Sequence, residues 1–251
     1  MLKKERLMRI LDQVNRKGII TINDLTEKLN VSDMTIRRDL DQLNTEGKLT
    51  RIHGGAQAIS KNNKKELSNI EKQTVHILEK EEIAKLAVDL VDDGDSIFIG
   101  PGTTLEALAK VIHNKHLRIV TNSLPVFDIL KNKADIDLIL LGGEFRSITG
   151  AFVGPLTQKC FENMFFSKTF VSANGINNQQ IATYSDSEGI IQQLALDNAE
   201  KKFLLADSTK FNKFDFYDFY NLEQLDLIIT DSHLSKENYS KFSAYVPIHH
   251  S

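Results

Sequence analysis

The chain has 251 residues, with 31 Lys and Arg against 34 Asp and Glu, and is 41% hydrophobic and 26% charged. That composition excludes collagen-like, low-complexity and largely disordered proteins, and the length suits two domains better than one. No run approaches the ~18 apolar residues of a membrane span, the start is charged where a secretory core would be apolar, and the one cysteine, Cys160, offers neither a disulfide nor a multi-cysteine metal site, so a cytoplasmic protein without metal or cofactor is expected. The net charge of −3 conceals an asymmetry. Residues 1–60 hold 11 Lys and Arg against 8 Asp and Glu, a net of +3, and the remainder is net −6. Two halves with two tasks are implied.

In chain order, Leu7, Ile10, Leu11 and Val14 fall at i, i+3, i+4 and i+7, the apolar stripe of a packed helix, and Gly18 after Arg16 and Lys17 suits its end. A second short helix runs from about Ile22 through Leu25 and Leu29, with Thr21 or Asn23 as its cap. Ser32 is a good N-cap for a third, in which Ile36, Leu40 and Leu43 share one face. At about 100° per residue, Met34, Arg38, Asp41 and Thr45 lie on the opposite face with Thr35 and Arg37 on its flanks. Two short helices, a tight turn and a third helix exposing Thr and Arg make a helix-turn-helix. Its last helix would enter the major groove, where Arg suits guanine edges and Thr and Met suit thymine methyls. Alternation around Gly54-Gly55 adds a small β-wing, placing Lys48, Arg51 and His53 on the phosphate backbone. The plain alternative is an amphipathic three-helix unit with solvated charges.

Lys4-Glu5-Arg6, Val31-Ser32 with Thr35-Ile36-Arg37-Arg38-Asp39-Leu40, and Arg51-Ile52-His53-Gly54-Gly55-Ala56 are similar to the signature of the DeoR family of bacterial transcriptional regulators. The resemblance implies a winged helix-turn-helix over residues 1–57 that reads operator double-stranded DNA. It implies DNA contacts from Ser32, Met34, Thr35, Arg37, Arg38, Lys48, Arg51 and His53.

Residues 58–76 are polar and read as a linker, and residues 77–251 as one α/β domain. Ile83, Leu86, Ala87 and Leu90 mark a helix that ends near Asp92-Asp93-Gly94. Apolar strands follow at 96–100, 117–121, 137–142, 168–173, 202–206 and 226–230, with helical patterns at 103–113, 124–132, 155–163 and 188–199 between them. Such alternation predicts an open parallel sheet covered on both faces, with ligands at the carboxyl ends of its strands. The turn Gly100-Pro101-Gly102-Thr103-Thr104 joins a strand to a helix N-terminus and suits a phosphate as well as it suits a bare tight turn. It is neither a Walker A motif nor a dinucleotide fingerprint. Other strand ends supply Asn122, Gly143, Glu144, Arg146 and Lys210, and a later helix head supplies Asp186 and Glu188. Together they would bind a polyhydroxylated anion. Among aromatic residues, Phe161, Phe165, Phe166 and Phe170 are expected in the core, and Phe214, Phe216, Tyr217, Phe219 and Tyr220 suit either an interface or a lid. Cys160 is expected buried, and His249 and His250 are too few for a metal.

Gly102-Thr103-Thr104, Thr121-Asn122, Leu141-Gly142-Gly143 and Ser208-Thr209-Lys210-Phe211 resemble the DeoR-type sensor domain, whose fold is similar to ribose-phosphate isomerase. That implies a phosphorylated sugar effector held by Gly100, Gly102, Thr103, Thr104, Asn122, Gly143, Glu144, Arg146, Asp186, Glu188 and Lys210. The family usually has an acidic residue where this chain has Gly100, so one hydroxyl contact is not implied here. The spelling Gly-Pro-Gly-Thr-Thr at 100–104, with Thr149–Gly154 and Gln193–Leu196, resembles the branch serving lactose phosphotransferase operons, which implies tagatose 6-phosphate. A repressor, a homodimer or homotetramer and no catalysis are expected. The alternatives are another sugar phosphate, a domain that only assembles subunits, and an isomerase in which Asp186, Glu188 and Lys210 carry the proton transfers.

Overall fold

A computed structural model describes residues 3–17, 19–46, 48–52, 54–58, 66–113 and 115–251, and the chain divides into two compact units, Met1–Lys65 and Glu66–Ser251. In the first unit, α1 (Lys3–Lys17), β1 (Ile19–Thr21), α2 (Ile22–Leu29) and α3 (Asp33–Thr45) precede a wing of β2 (Leu49–Ile52) and β3 (Gly55–Ala58). Thr21 is the cap of α2: its Oγ1 accepts from the Asp24 amide at 3.2 Å, and the Asp24 carboxylate accepts from the Thr21 amide at 3.3 Å. Asn30, left-handed at φ 51°, ends α2, and Ser32 then caps α3 by accepting from the Thr35 amide. Ile10, Val14, Leu25, Ile36, Leu40 and Leu43 close one small core beneath the three helices. Burial of each such side chain contributes about 1.5–3 kcal/mol, more than any exposed ion pair on this unit. The wing strands pair antiparallel, and β3 also pairs with β1. Gly55 permits that second pairing, because a Cβ there would lie 2.2 Å from the Ile20 carbonyl oxygen. His53, expected on the wing, lies outside the described residues.

The second unit begins earlier than the sequence pattern suggests. Residues 66–76, expected as linker, belong to it and carry the short helix α4 (Asn69–Gln73). Then come α5 (Ile77–Val88), β4 (Ser96–Ile99), α6 (Thr103–Val111), β5 (Leu117–Thr121), α7 (Leu124–Leu130) and β6 (Ile136–Leu140). A hairpin of β7 (Glu144–Arg146) and β8 (Ala151–Val153) leads to α8 (Pro155–Cys160) and β9 (Phe166–Ser172). After these lie β10 (Gly175–Asn177), β11 (Gln180–Thr183), α9 (Asp186–Asp197), β12 (Ala199–Leu205), β13 (Tyr217–Asn221), β14 (Leu227–Ile229), α10 (Lys236–Phe242) and β15 (Ile248–His249).

The main sheet is parallel, in the order β15-β14-β12-β9-β4-β5-β6. From β4 the chain winds outward one way through β5 and β6, and from β9 it winds the other way through β12, β14 and β15. The direction reverses between β4 and β9, and at that point the loops beyond the two carboxyl ends part to leave a crevice. Ile97, Ile99, Leu105, Phe170 and Leu205 pack one face of the sheet, and Phe98, Phe161, Phe166 and Ile191 the other. A smaller antiparallel sheet, β10-β11-β13, lies outside the main one.

Several expectations change. Phe165 is 68% exposed, unlike its buried neighbours Phe161, Phe166 and Phe170. The aromatic run divides at the start of β13: Phe219 and Tyr220 lie in the strand and are buried, whereas Phe214 and Phe216 precede it and stay exposed. Cys160 is half-buried, and His249 lies in an edge strand paired with β14. Among the described residues, no helix is long and apolar enough to cross a membrane.

Candidate functional site

In the first unit the exposed side of α3 carries polar groups of unequal freedom. Arg37 Nε donates to Asp33 Oδ1 at 2.5 Å, one turn back along the helix. The side chain of Arg51 reaches from β2 to Asp41 Oδ1 at 3.0 Å and to the Arg37 carbonyl at 3.1 Å, and its backbone amide donates to Asn44. Arg51 therefore braces the wing against α3. Lys48 pairs with Glu46 at 2.6 Å. Arg38 is exposed and, among the described residues, makes no ion pair; Met34 is 61% exposed beside it. Ser32 and Thr35 share a hydrogen bond between their hydroxyls at the head of the helix. The opposite side is fixed by a buried pair: Asp39, 2% exposed, takes Arg6 Nε at 2.5 Å and Nη2 at 3.2 Å. That pair clamps α1 to α3 from a position where sequence periodicity alone would place only apolar residues.

The second unit forms a cleft at the reversal point of the sheet. Gly102, Thr103 and Thr104 follow β4, Ser172 ends β9 with Ala173 and Asn174 just beyond it, and Asp207 and Lys210 follow β12; all line it. Gly102 holds φ +134°, and a Cβ there would stand 2.5 Å from Ser172 Oγ, so glycine is required where the turn closes on β9. No side chain among the described residues caps α6, which leaves the amides of Thr103 and Thr104 and the positive end of the helix dipole at the cleft. Lys72 and Lys80 stand on another wall. Lys72 Nζ donates to Asn174 Oδ1 at 3.1 Å, and Lys80 Nζ donates to the Lys72 and Val75 carbonyls, each at 2.6 Å. Burial pushes both amines below the ordinary lysine range, with Lys210 adding repulsion. A cationic wall joined to open amides is the electrostatics of an anion site.

Carboxylates occupy the other side. Glu188, 4% exposed at the head of α9, accepts from Thr149 Oγ1 and from Arg146 Nη1 at 3.2 Å. Burial raises its carboxyl above the ordinary range, opposed by those two donors. Arg146 also pairs with Glu66, which holds the guanidinium firmly charged. Asp207 is 1% exposed; its Oδ1 accepts from the Thr209 amide at 3.1 Å, and its Oδ2 has no hydrogen-bond partner among the described residues.

Gly102, Thr103, Thr104, Glu188 and Lys210 thus come together from five of the expected positions, and Arg146 reaches the cleft through Glu188. The others lie apart. Gly100 is buried in the strand end, with its amide bonded to the Phe170 carbonyl. Asn122 turns its amide to the Phe152 carbonyl at 2.8 Å, and Gly143 packs on Thr157. Glu144 lies on the hairpin beside Gly154, and Asp186 is exposed, bonding the Ser187 amide. A strand end is several residues wide, and only those on its inner side meet the crevice. Lys72, Lys80, Ser172, Asn174, Thr183 and Gln192 were not anticipated. Ser172 and Asn174 lie at the carboxyl end of a strand, so the rule that found the Gly102 turn also finds them.

Residues 6–62 match the DeoR-like helix-turn-helix domain, and residues 75–232 match the DeoR C terminal sensor domain. The chain belongs to the DeoR family. It is 53% identical over 249 residues to the lactose phosphotransferase system repressor of Lactococcus lactis subsp. lactis, covering 98% of each chain. It is 46% identical over 248 residues to the protein of that name from Staphylococcus epidermidis, again covering 98% of each. Among solved structures, ribose 5 phosphate isomerase A from Neisseria gonorrhoeae aligns at a TM-score of 0.40 and 19% identity, over 53% of this chain and 52% of that one. In this DeoR-family chain the helix-turn-helix match lies within the first compact unit and the sensor match within the second. Residues 66–74, several of which wall the cleft, fall between the two.

Proposed function

We propose that this protein represses a sugar-utilisation operon of the lactose phosphotransferase type, binding operator DNA through α3 and its wing. It releases the DNA when a phosphorylated sugar, tagatose 6-phosphate in the first instance, enters the sensor cleft. The observation that carries the reading is the meeting of Lys72, Lys80, Lys210 and the bare α6 N-terminus with buried Glu188 and Asp207 in one crevice. Cations and amides suit a phosphate, and carboxylates suit the hydroxyls of a sugar. The names of the relatives support the lactose assignment. The protein acts as a homodimer or homotetramer, since such readers engage repeated half-sites. Binding without turnover suits the cleft: Glu188 is already engaged by Arg146 and Thr149, which opposes its use as a mobile base.

Gel-shift titration with hexose and pentose phosphates tests the reading. Tagatose 6-phosphate is expected to displace operator with a coupling of about 1–3 kcal/mol, a 5- to 150-fold loss of affinity. Lys210→Ala and Thr104→Ala are expected to keep operator binding and blunt that response. A panel in which no phosphosugar alters operator affinity would remove the sensor half of the proposal.

A further inference from the structure

Helices α5, α6 and α7 border a second depression, a groove of about 450 Å³. Its apolar lining comes from Ile77 on α5, Ala107 and Val111 on α6, and Pro125 and Ile129 on α7. Lys80 and Glu106 also line it, but their polar atoms are already taken. Lys80 donates to the Lys72 and Val75 carbonyls, and Glu106 accepts from Asn69 and Gln73. Three exposed charges complete the rim: Glu81 and Lys85 on α5, and Lys110 on α6. Among the described residues, the side chains of those three make no ion pair and no hydrogen bond.

Helix α5 is apolar on two sides. Ile83, Ala84 and Ala87 are buried in the main core, whereas Ile77 is 47% exposed and Leu78 77%. At about 100° per residue, Leu78 and Lys85 fall within about 20° of one another, with Ile77 and Glu81 on the same outward side. A single exposed leucine needs no explanation, but one beside an apolar groove extends a contiguous patch, and such patches mark interaction surfaces. A small ligand does not account for it. Among the described residues, no buried polar atom along the groove lacks a hydrogen-bond partner, so nothing there is set to orient one.

The charges single out the occupant. Glu81 and Lys85 have opposite sign and stand one turn apart on one helix. A second α5 laid antiparallel across a two-fold axis sets Glu81 against Lys85 of the partner subunit and Lys85 against Glu81 of the partner subunit. A surface that complements itself in this way is the mark of an isologous contact. The same register brings Leu78 to the partly buried Val88 of the partner subunit, apolar against apolar. Lys110, on the facing wall, offers Glu81 of the partner subunit a second cation. We propose that two copies of this chain associate through the groove and the outward side of α5, paired antiparallel about a two-fold axis. This rests on reading the protein as a homo-oligomer, and it names the surface that joins the copies. Lys80 and Thr103 line both the groove and the sensor cleft, so that surface backs directly on the cleft.

Analytical ultracentrifugation of the full chain across a concentration series, without DNA, tests the surface. The wild type is expected to sediment as a dimer or tetramer. Glu81→Lys and Lys85→Glu each set like charges together twice across the two-fold, and each is expected to raise the dissociation constant about 10- to 100-fold. The assembly should then fall by one step, dimer to monomer or tetramer to dimer. Combining Glu81→Lys with Lys85→Glu restores opposite charges and is expected to recover most of the association, which a merely structural role for either residue would not do. Leu78→Asp, at a position the fold leaves exposed, is expected to weaken association at least as much as either charge reversal. Single variants that all assemble as the wild type does overturn the inference alone, whether a small molecule or another protein then covers the groove. A combined variant no better than the single ones overturns the antiparallel register and the proposal with it. A monomeric wild type removes the homo-oligomer reading and this inference together.

Discussion

The two functional faces of this chain handle charge in opposite ways. On α3 the arginines are exposed, and Arg37 is bound to a carboxylate one turn away, while Arg51 reaches from the wing to Asp41 on the same helix. In the cleft, lysines and carboxylates are desolvated and held by backbone carbonyls, amides and one another. Exposed ion pairs cost little to break, at a median of 0 to about 1 kcal/mol, so α3 can exchange Asp33 for a phosphate or a base edge with small loss. Buried charges cannot be exchanged so freely, because each that leaves its partner is stranded away from water. The difference teaches that a DNA reader and a small-molecule sensor need opposite degrees of solvent access from the same residue types.

The comparison breaks most visibly under salt. Operator affinity is expected to fall by about 1000-fold or more between 50 and 200 mM salt if a dimer neutralises six or more phosphates. Effector affinity should change far less, because the cleft is shielded from the ionic atmosphere. Equal salt slopes for the two ligands would show that the two faces do not differ as described.

The clamp beneath α3 comes next. Asp39→Ala leaves the Arg6 guanidinium, 14% exposed, without its carboxylate and is expected to destabilise the first unit by about 2–3 kcal/mol. Thermal melting of that unit and circular dichroism at matched salt measure the loss. An unchanged melt would mean that the pair holds nothing together. Within the exposed row, Arg38→Ala is expected to weaken operator binding by about 1–3 kcal/mol, as for a lost bidentate base contact. Arg37→Ala should cost less, since that guanidinium must first leave Asp33. The reverse order in a filter-binding series at fixed salt would move the base contacts to the other flank of the helix.

How much of this was legible in the sequence follows from the same division. Helix α3 could be read because Ile36, Leu40 and Leu43 repeat at helical spacing and Ser32 caps them. Six of the seven main strands could be read because each carries a run of apolar residues, whereas β15, two residues long, could not. The wall formed by residues 66–76 could not. Its helix is too short to set up a period, and its residues are polar because their partners are polar: Asn69 meets Glu106 37 positions on, and Lys72 meets Asn174 102 positions on. No local pattern encodes a pairing across such distances. The same blindness hid Asp39, whose acidic side chain is buried only because Arg6 arrives from another helix. The three-residue strands β7, β8 and β10 are likewise too brief for alternation to be seen.

The smallest expected effect concerns pH, and it separates the two faces by a different property. Burial lowers the affinity of Lys72 and Lys80 for protons below the ordinary value of 10.5, with Lys210 repelling both; Glu66, Glu188 and Asp215 oppose the shift at Lys72, and Asp207 and Glu106 oppose it at Lys80. A phosphate dianion in the cleft favours the charged amines, so binding takes up protons wherever a lysine is partly neutral beforehand. Effector affinity must then fall as pH rises through the lowered lysine values, by at most about tenfold per pH unit for each lysine that titrates. The decline lies on the acid side of 10.5, and at any pH above the second ionisation of the phosphate near pH 6 the ligand is itself a dianion. Arginines on α3 keep their charge across this range, and Asp33 holds that of Arg37 more firmly still. Operator affinity should therefore stay flat where effector affinity declines. Calorimetry in two buffers of different ionisation enthalpy reads the proton uptake directly. Proton release on binding, or an effector affinity that does not decline through the alkaline range, would show that the cleft lysines are not where the phosphate sits.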